Sequence, residues 1–580
     1  MVRRVLALLC LGLCLAVNAS AQLASQTALV GSVTDDAGLA VPGAQVTAVN
    51  LGTKDTYEAT TNTDGYYNIQ FVRAGKYDIT VTVSGFQTFK ATGVEVATNQ
   101  VVRTNAVMKV GGIAESVNVA AKAQVLNTDS AVVSETIGQR AIVDLPTSGR
   151  NVWSLASTTP GVLGGLNSDI GLSFRGAGQR EIQNSLSLDG ISSSSNLLAA
   201  TSMRPIADAV EEIQVQTGST SAEYGSYLGV HINVVTKSGS NNLHGSFFNF
   251  FQDDALDERG YFENRANPKN ARRRNQFGAQ MDGPVVIPKL YDGRNRTFFM
   301  GAYEGVRGNA QSSPFANVPT ALMREGNFSE VTTAIRNPLT GQPFPGNIIP
   351  RSQLSPVALK LLEYYPRPTA PGLANNYQAT TANTDDVDQT LVRVDQNLGN
   401  KVRLYVRHNW HDSFNSNVFN SAIPITEVTQ PRVNKNTLVS YTHTLKPNLL
   451  NDFRIGYHRI DFDTLNYFAV NGITSAGADL GIPGFDGDVR FSNPGLPSIN
   501  VSNFASLGVG GSNWYQFDTT FRCRTCWRTR ADRTTCGADS TFGGWPPGGV
   551  RPTTLEACSR SRTTSRAIPW RPSCSGFRGR

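Results

Sequence analysis

Beyond its first residues the chain lacks any long hydrophobic run. The run from Val5 to Val17 is shorter than the ~20 residues that a membrane-spanning helix requires. No later segment of the sequence approaches that length. A membrane-embedded form of the mature protein would therefore have to be a β-barrel, in which strands satisfy one another's backbone groups.

The sequence also lacks the motifs that carry catalysis or metal binding. It contains no HExxH, no P-loop Lys-Ser/Thr and no Ser/His/Asp order or paired carboxylates that stand out. His408 and His411 are three apart, which on a strand places them on opposite faces, so they are poor joint ligands. The Asp-rich stretches lack the spacing of a calcium loop. We therefore predict no catalytic residues, no metal site and no cofactor.

Charge is sparse and unevenly distributed. Charged residues make up 17% of the chain, with a formal net charge of +7. Residues 521–580 hold twelve Arg, no Lys and three acids, whereas residues 1–520 hold 40 bases and 42 acids. The main body is thus slightly acidic, which argues against a nucleic-acid groove.

Cysteine is missing from Leu15 to Arg522, and five of the seven cysteines follow it. Cys523 and Cys526 form a CxxC, the spacing of half a zinc site or of a redox pair. A second CxxC or a nearby His pair is absent, and strand-like alternation stops. We favour a reading-frame change near Phe521, so that residues 521–580 are an out-of-frame tail and not an evolved domain.

The amino terminus has the pattern of a secretory signal peptide. Arg3 and Arg4 precede the apolar run, and the small residues Ala19 and Ala21 follow it. We predict cleavage after Ala21, so that residues 1–21 are removed and the protein is exported.

Residues 25–110 contain about seven short, evenly spaced segments of alternating hydrophobicity, which predict an antiparallel β-sandwich. The turn Asp64-Gly65-Tyr66 and the pair Gly85-Phe86 resemble the carboxypeptidase regulatory-like domain. That resemblance implies a transthyretin/Ig-like, carbohydrate-binding-like fold without implying peptidase activity. We expect the tyrosines of this region to pack in the core or across strands; a glycan site is the alternative. They are Tyr57, Tyr66, Tyr67 and Tyr77.

The stretch Arg204–Gly245 predicts a helix over 206–212 and strands over 213–217 and 230–237. Two further short helices are predicted over 137–145 and 152–157. The segment closely resembles the end of the plug domain of TonB-dependent outer-membrane transporters of the Oar-like type. We place the plug at residues 124–242. Its motif residues by this resemblance are Arg175, Gly176, Gly178, Arg180, Asp189, Gly190, Glu223, Tyr224, Gly225, Thr236, Lys237 and Gly239.

Two of these plug residues leave a choice open. Arg175 and Arg180 lie in a glycine-containing loop before the strand that closes at Asp189-Gly190. They could pair with acids of a barrel wall, or they could be solvated loop charges. The sequence favours neither.

Residues 111–123 link sandwich and plug. Their core resembles a TonB box, the segment that pairs with an energising partner by strand addition. An extended, β-branched run without Pro suits that role. The alternatives are a plain linker strand or the last strand of the sandwich. The predicted partner-binding residues are Glu115, Ser116, Val117, Asn118, Val119, Ala120 and Ala121.

Residues 243–520 alternate polar and apolar residues with period two between long polar stretches. This pattern is typical of barrel strands with one lipid face, although a soluble sandwich shows it too. We count ten to fourteen strands, fewer than the 22 of plugged transporters. We therefore expect an incomplete transmembrane barrel in a chain cut short by a frameshift or an assembly error.

The resemblance implies a TonB-dependent receptor of the outer membrane that takes up a nutrient ligand of undetermined class. Its implied partners are a TonB-type inner-membrane complex, outer-membrane lipid and an unknown small ligand, for which a glycan is one candidate, but no nucleic acid. An outer-membrane adhesion protein or a secreted carbohydrate-binding protein without transport is the alternative function. None of these is an enzyme.

Overall fold

The molecule is mainly β, as the sequence predicts. Among the described residues no helix is long and apolar enough to cross a membrane. The computed structural model describes residues 27–70, 72–98, 100–111, 116–120, 133–168, 171–176, 178–180, 183–194, 203–218, 227–259, 269–399, 401–416, 421–446, 449–473, 476–481, 496, 498–508, 514–529, 534–543 and 555–556. The predicted signal peptide and Ala21 lie outside this part of the chain.

The first part is a two-sheet sandwich. One sheet has the order β4-β1-β7, with β8 also paired to β1, and the other has the order β3-β2-β5-β6-β9. The two inner faces enclose an apolar core that includes Leu29, Val46 and Ile79. The strands are β1 (Ala28–Asp35), β2 (Gln45–Asn50), β3 (Thr56–Thr60), β4 (Tyr66–Gln70), β5 (Gly75–Thr82), β6 (Thr88–Val96), β7 (Val101–Arg103), β8 (Ala106–Met108) and β9 (Ser116–Ala120).

The tyrosines of the sandwich pack as predicted. Tyr67 and Tyr77 are fully buried, and their hydroxyls donate at 2.7 Å to the carbonyls of Thr104 and Arg73. Tyr57 meets Tyr77 edge-on, with ring centroids 6.1 Å apart. A buried tyrosine keeps its hydroxyl paired in this way while its ring fills the core.

The second part is a small α/β unit, the plug. Its five-stranded sheet has the order β10-β15-β16-β13-β14, and β11 and β12 form a separate hairpin. Trp153, Ile213 and Val234 are fully buried in its core. Its elements are β10 (Val133–Gly138), α1 (Gln139–Asp144), β11 (Val162–Ser168), β12 (Gly171–Gly176), β13 (Ser185–Leu188), β14 (Ile191–Ser192), β15 (Val210–Gly218) and β16 (His231–Thr236).

The predicted helix over 206–212 is wrong. Only a 3-10 turn, Ala207–Ala209, precedes β15, which already begins at Val210. Because β15 is hydrogen-bonded to β10 on one side and β16 on the other, sheet pairing overrides the helix propensity of Val210–Glu212. The helix predicted over 137–145 is shorter, since β10 continues through Gly138, and that predicted over 152–157 is a 3-10 helix, Val152–Thr158.

The third part is a ten-stranded antiparallel sheet. Eight of its strands begin within residues 243–520, where the sequence predicts barrel strands, and the sheet continues beyond residue 520. The sheet strands are β17 (His244–Asp253), β18 (Arg272–Pro284), β21 (Thr297–Ser312), β24 (Thr381–Leu398), β25 (Val402–Asn415), β26 (Val428–Lys446), β27 (Leu449–Asn466), β28 (Trp514–Thr529), β29 (Thr534–Gly543) and β30 (Leu555–Glu556).

Short elements lie in the connections of this sheet. Most belong to the long loops between its strands. They are the strand pairs β19 (Val286–Ile287) with β20 (Tyr291–Asp292) and β22 (Phe315–Ala316) with β23 (Tyr377–Gln378), and the helices α2 (Ala321–Arg324), α3 (Pro356–Leu362), α4 (Tyr467–Val470) and α5 (Ala476–Asp479).

The two faces of the sheet differ as a barrel wall requires. On β25, Arg407, Asn409 and His411 are buried on the inner face, whereas Val406 and His408 point outward. The predicted separation of His408 from His411 is thus confirmed. Large apolar side chains are exposed on the outer face of neighbouring strands, which suits contact with lipid. They include Phe247, Val392, Val394, Ile455 and Phe521.

The sheet is open, and it crosses the position at which the out-of-frame tail was predicted to begin. Among the described strands, β17 and β30 are the two ends of the ladder and do not pair with each other. β28 pairs with β27 from Thr464↔Trp514 to Leu449↔Thr529, so it passes Phe521 within one strand. The origin of residues 521–580 stays a prediction.

The connections between the strands define two ends of the sheet. At one end the links are short: residues 399–401 join β24 to β25, and residues 447–448 join β26 to β27. At the other end the connections are long: residues 313–380 lie between β21 and β24, and residues 467–513 lie between β27 and β28. Outer-membrane barrels have short periplasmic turns and longer extracellular loops, which orients the sheet. The sandwich contacts the short-turn end.

Candidate functional site at the plug–barrel junction

A two-residue hairpin turn places a carboxylate at the boundary between plug and barrel wall. β13 and β14 are joined by Asp189-Gly190, with φ of 51° and 80°. Positive φ at both central residues is the type I′ geometry, for which Asp-Gly is a favoured pair. Both oxygens of the Asp189 side chain accept from Thr236 on β16, from its N–H and its hydroxyl, each at 2.8 Å. The motif residues Asp189, Gly190 and Thr236 therefore meet in one place.

The same carboxylate is ion-paired with the wall. Arg407 Nε on β25 lies 2.8 Å from Asp189 Oδ2, and both side chains are almost completely buried. The Arg407 guanidinium also donates to Asn436 Oδ1 at 2.7 Å. Arg454 on β27 donates to the Asp189 carbonyl at 3.2 Å. Two wall strands, β25 and β27, thus contact one plug turn, and β26 holds Arg407 through Asn436. Ion pairs at such burial are costly to break because one charge is left unpaired.

A third wall arginine, Arg393, extends these contacts to the sandwich. Arg393 on β24 donates to the Thr236 carbonyl at 2.9 Å and forms a two-bond pair with Asp395, each bond 2.8 Å long. Asp395 in turn accepts from Arg73 of the sandwich at 2.8 Å. Plug, wall and sandwich are therefore linked through one chain of charged hydrogen bonds.

The sandwich also touches the plug directly. The Thr98 N–H donates to Glu212 Oε1 at 2.9 Å, and Gln214 Nε2 donates to the Thr98 carbonyl at 2.5 Å. Burial raises the pKa of the Glu212 carboxyl above its ordinary value of 4.5, against the effect of the hydrogen bonds from Thr98. Nearby, Asn241 donates from its N–H to the Gly52 carbonyl at 3.2 Å.

A further ion pair joins the plug to the wall. Arg150 lies 2.7 Å from Asp208 within the plug and 3.8 Å from Glu304 on β21. Its guanidinium also stacks over Phe248 of β17, 4.1 Å from the ring centroid. Arg150 therefore holds the plug against the wall at a second place, apart from the contact between Asp189 and Arg407.

The remaining plug-motif residues are less tightly grouped. Gly176 is buried, whereas Arg175, Gly178 and Arg180 are exposed. The choice between pairing with the barrel wall and solvated loop charge stays open for both arginines. Glu223, Tyr224 and Gly225 lie outside the described residues.

The end of the plug motif leads into the first sheet strand. Burial lowers the pKa of the Lys237 amine, against the attraction of Glu211. A Cβ at Gly239 would lie 2.6 Å from the Phe299 carbonyl oxygen and 2.7 Å from that of Gly283, so only glycine fits between these strands.

The predicted partner-binding segment lies on the sandwich. Ser116–Ala120 form β9, which pairs in parallel with β6 from Thr88↔Ser116 to Thr92↔Ala120. Glu115 and Ala121 lie outside the described residues. Ser116–Ala120 therefore form a strand of the sandwich sheet, which was one of the alternatives that the sequence left open. The role of the segment as a partner site stays a prediction.

The sequence named Asp189 as a plug residue and predicted strands in residues 243–520, but it did not indicate that Asp189 pairs with Arg407. It also missed Arg73 and Thr98, whose contacts belong to the docked sandwich. Arg393 and Arg407 are charged residues on the polar face of wall strands. A charge at such a position is the sequence feature that could have indicated a contact with the plug.

Comparison with known proteins places the chain in a class. Residues 235–529, just over half of the chain, match the outer membrane beta barrel domain family, so the chain belongs to that family. Residues 28–109 match the carboxypeptidase regulatory-like domain. Within the class, the chain is similar to the TonB-dependent transporter Oar of Myxococcus xanthus, with 25% identity over 289 residues. That match covers 47% of this chain and 26% of the relative, so the chain spans about a quarter of its length.

Two solved structures align with much of the chain. The outer membrane transporter YddB from Escherichia coli aligns with a TM-score of 0.42 and 10% identity, covering 71% of this chain and 47% of that chain. A ferric enterobactin receptor mutant from Pseudomonas aeruginosa in complex with enterobactin aligns with a TM-score of 0.39 and 13% identity, covering 72% and 49%. The chain thus spans about half the length of each.

Proposed function

We propose that the chain acts in a TonB-dependent outer-membrane receptor that takes up a nutrient ligand through a plugged β-barrel. The observation that carries the proposal is the buried pair between Asp189 of the plug and Arg407 of the wall. It holds the plug against the inner face of a sheet whose outer face is apolar. A plug held by a few charged contacts can be rearranged when force is applied to it.

The energising contact in this proposal is the segment 115–121, which a TonB-type inner-membrane complex would bind by strand addition. The segment lies on the sandwich, and the sandwich is joined to the plug at Thr98 and to the wall at Arg73. Force applied there has a path to Thr236 and Asp189 through Asp395 and Arg393. No nucleotide or metal cofactor enters the mechanism.

The ligand would enter from the long-loop end. There the loops pack on one another around Val318, Tyr365 and Phe468, so they form a joint surface. Siderophores, saccharides and peptides all remain candidate ligands. Because an open sheet edge is not viable in lipid, uptake requires the further strands that close such a barrel.

The test is capture of the detergent-solubilised full-length chain by the immobilised periplasmic domain of the host's TonB-type protein. We expect Val117→Pro and Val119→Pro each to weaken capture at least tenfold, because proline removes a ladder donor. Leu373→Pro, in the long-loop end, should leave capture unchanged. Unaltered capture by both segment variants would count against the proposal. Heat-modifiable migration in gels with no capture by the unaltered chain would favour the adhesion alternative.

A further inference from the structure

The segment with the TonB-box pattern is the outermost strand of a sandwich sheet. β9 pairs with β6 in parallel register, and the sheet order β3-β2-β5-β6-β9 places it at the end. One edge of β9 is therefore used by β6. Among the described strands nothing pairs with the other edge.

The path of the chain explains how the segment reaches this place. The Gln87 N–H donates to the Lys109 carbonyl at 2.8 Å, and the Gly111 N–H donates to the Gly85 carbonyl at 3.3 Å. Phe86 and Val110 form an isolated antiparallel bridge between these two contacts. Residues 109–111 are thus fixed beside the start of β6. The residues that follow them along the chain therefore reach the edge of β6 that β5 does not occupy.

An exposed edge strand is a template for another strand, because its outward N–H and C=O groups are unpaired and already extended. A free segment would have to lose its conformational freedom before it could pair, whereas β9 has lost that freedom on the sandwich. Pre-ordering of this kind strengthens binding without new contacts.

We propose that the sandwich displays Ser116–Ala120 as an edge strand and that the partner's strand adds to the outer edge of β9 while its inner edge stays on β6. This inference rests on the proposed function, since it takes the partner to be the TonB-type protein. It assigns the amino-terminal domain the role of a presenting platform. Force on β9 would then also act on the Arg73–Asp395 contact between sandwich and wall.

Engineered cysteines test the arrangement in the full-length chain, with the five cysteines beyond residue 520 replaced by serine. Thr88→Cys with Ser116→Cys joins directly paired positions. Neighbouring strands are ~4.8 Å apart, which suits a disulfide. Thr88→Cys with Ala120→Cys is the matched control. Its positions are four residues out of register, which adds ~13 Å along the strand. We expect the in-register pair to form the disulfide at least tenfold more readily.

Capture by the periplasmic domain of the TonB-type protein then separates the possibilities. We expect the oxidised in-register variant to be captured within twofold of its reduced form. Amide exchange should show alternate residues of 116–120 gaining protection on capture, because neighbouring N–H groups point to opposite edges. Equal cross-linking of the two pairs, or a tenfold loss of capture on oxidation, would overturn the inference. In-register cross-linking with no capture in either redox state would refute the proposed partner, while the strand pairing would stand.

Discussion

Asp189 of the plug and Arg407 of the wall approach to 2.8 Å, with side chains 3% and 0% exposed. The carboxylate is held by two further bonds from Thr236, so its position is also fixed by contacts within the plug. A neutral amide in place of this carboxylate would leave the guanidinium buried without its counter-charge. We expect Asp189→Asn to destabilise the plug by about 3–5 kcal/mol. Denaturant unfolding followed by tryptophan fluorescence measures this, in a background where the other five tryptophans are replaced by phenylalanine and only Trp153, buried in the plug core, remains.

Asp388→Asn is the matched control for that substitution. Asp388 and Arg307 are also 2.8 Å apart, but their side chains are 36% and 45% exposed. Solvated ion pairs contribute less than about 1 kcal/mol, so the control should change little. Equal effects of the two substitutions would show that the buried pair does not hold the plug.

Docking of the sandwich over the buried Glu212 should weaken as pH rises, because burial disfavours the ionised carboxyl more than the hydrogen bonds from Thr98 favour it. Burial raises the pKa of Glu212 in the folded protein above its ordinary value of 4.5. The folded state therefore binds more protons, and the stabilisation is present below about pH 4.5 and is lost as pH rises through the folded pKa. Exchange of the Thr98 N–H, which donates to Glu212, should accelerate over that range.

Glu212→Gln provides the control, because the amide oxygen still accepts from Thr98 but does not titrate. Its Thr98 protection should stay flat over the same pH range once intrinsic exchange is corrected for. The same pH dependence in both proteins would assign the effect to another group.

Docking of the sandwich on the wall should depend on Arg73. Asp395 keeps its two bonds to Arg393 when Arg73 is removed, so Arg73→Met loses one charged hydrogen bond without stranding a carboxylate. We expect a loss of about 1.5–3 kcal/mol. The Asn241 amide, which donates to Gly52 of the sandwich, reports docking through its exchange rate.

Asp395→Asn should be more damaging than Arg73→Met, since it removes the counter-charge of two arginines at once. The reverse order of the two effects would contradict the arrangement of this network.

Local patterns predicted much of this architecture. Period-two alternation in residues 243–520 puts neighbours such as Val406 and Arg407 on opposite faces, and the structure has Arg407 inward and Val406 outward. The Asp189-Gly190 pair marked a turn, and it is one. These features follow from period-two geometry and turn chemistry, which act over a few residues.

The long-range contacts could not be predicted in the same way. Nothing local to Arg73 or Thr98 indicates that the sandwich docks on plug and wall, because that depends on how separate units meet. The error over 206–212 has the same origin: pairing of β15 with distant strands overrode local propensity.

Substitution by alanine should be costly at Gly239 and nearly neutral at Gly301. At Gly239 an added Cβ meets two backbone carbonyl oxygens, of Phe299 and Gly283, which cannot move independently of their strands. Gly301 on β21 has nothing within 4 Å of the same position. We expect Gly239→Ala to cost about 1–3 kcal/mol and Gly301→Ala to stay within about 0.5 kcal/mol. Thermal unfolding in detergent compares them, and a cost at Gly301 equal to that at Gly239 would contradict the packing.

The loop cluster should be a cooperative unit at the ligand-facing end. Phe468 is 1% exposed and packs edge-on against Tyr364 and Tyr467, with ring centroids 6.3 and 5.7 Å away. Truncation of a buried phenylalanine costs about 3–5 kcal/mol. We expect Phe468→Ala to raise protease cleavage within residues 313–380, whose Tyr365 belongs to the same cluster. Leu339→Ala, at a side chain 93% exposed in that loop, is the control and should leave cleavage unchanged. Trp153 fluorescence should report an unaltered plug in both variants, because the plug and the long loops have separate cores. Cleavage that rises equally in both would mean that the loops do not pack as one surface.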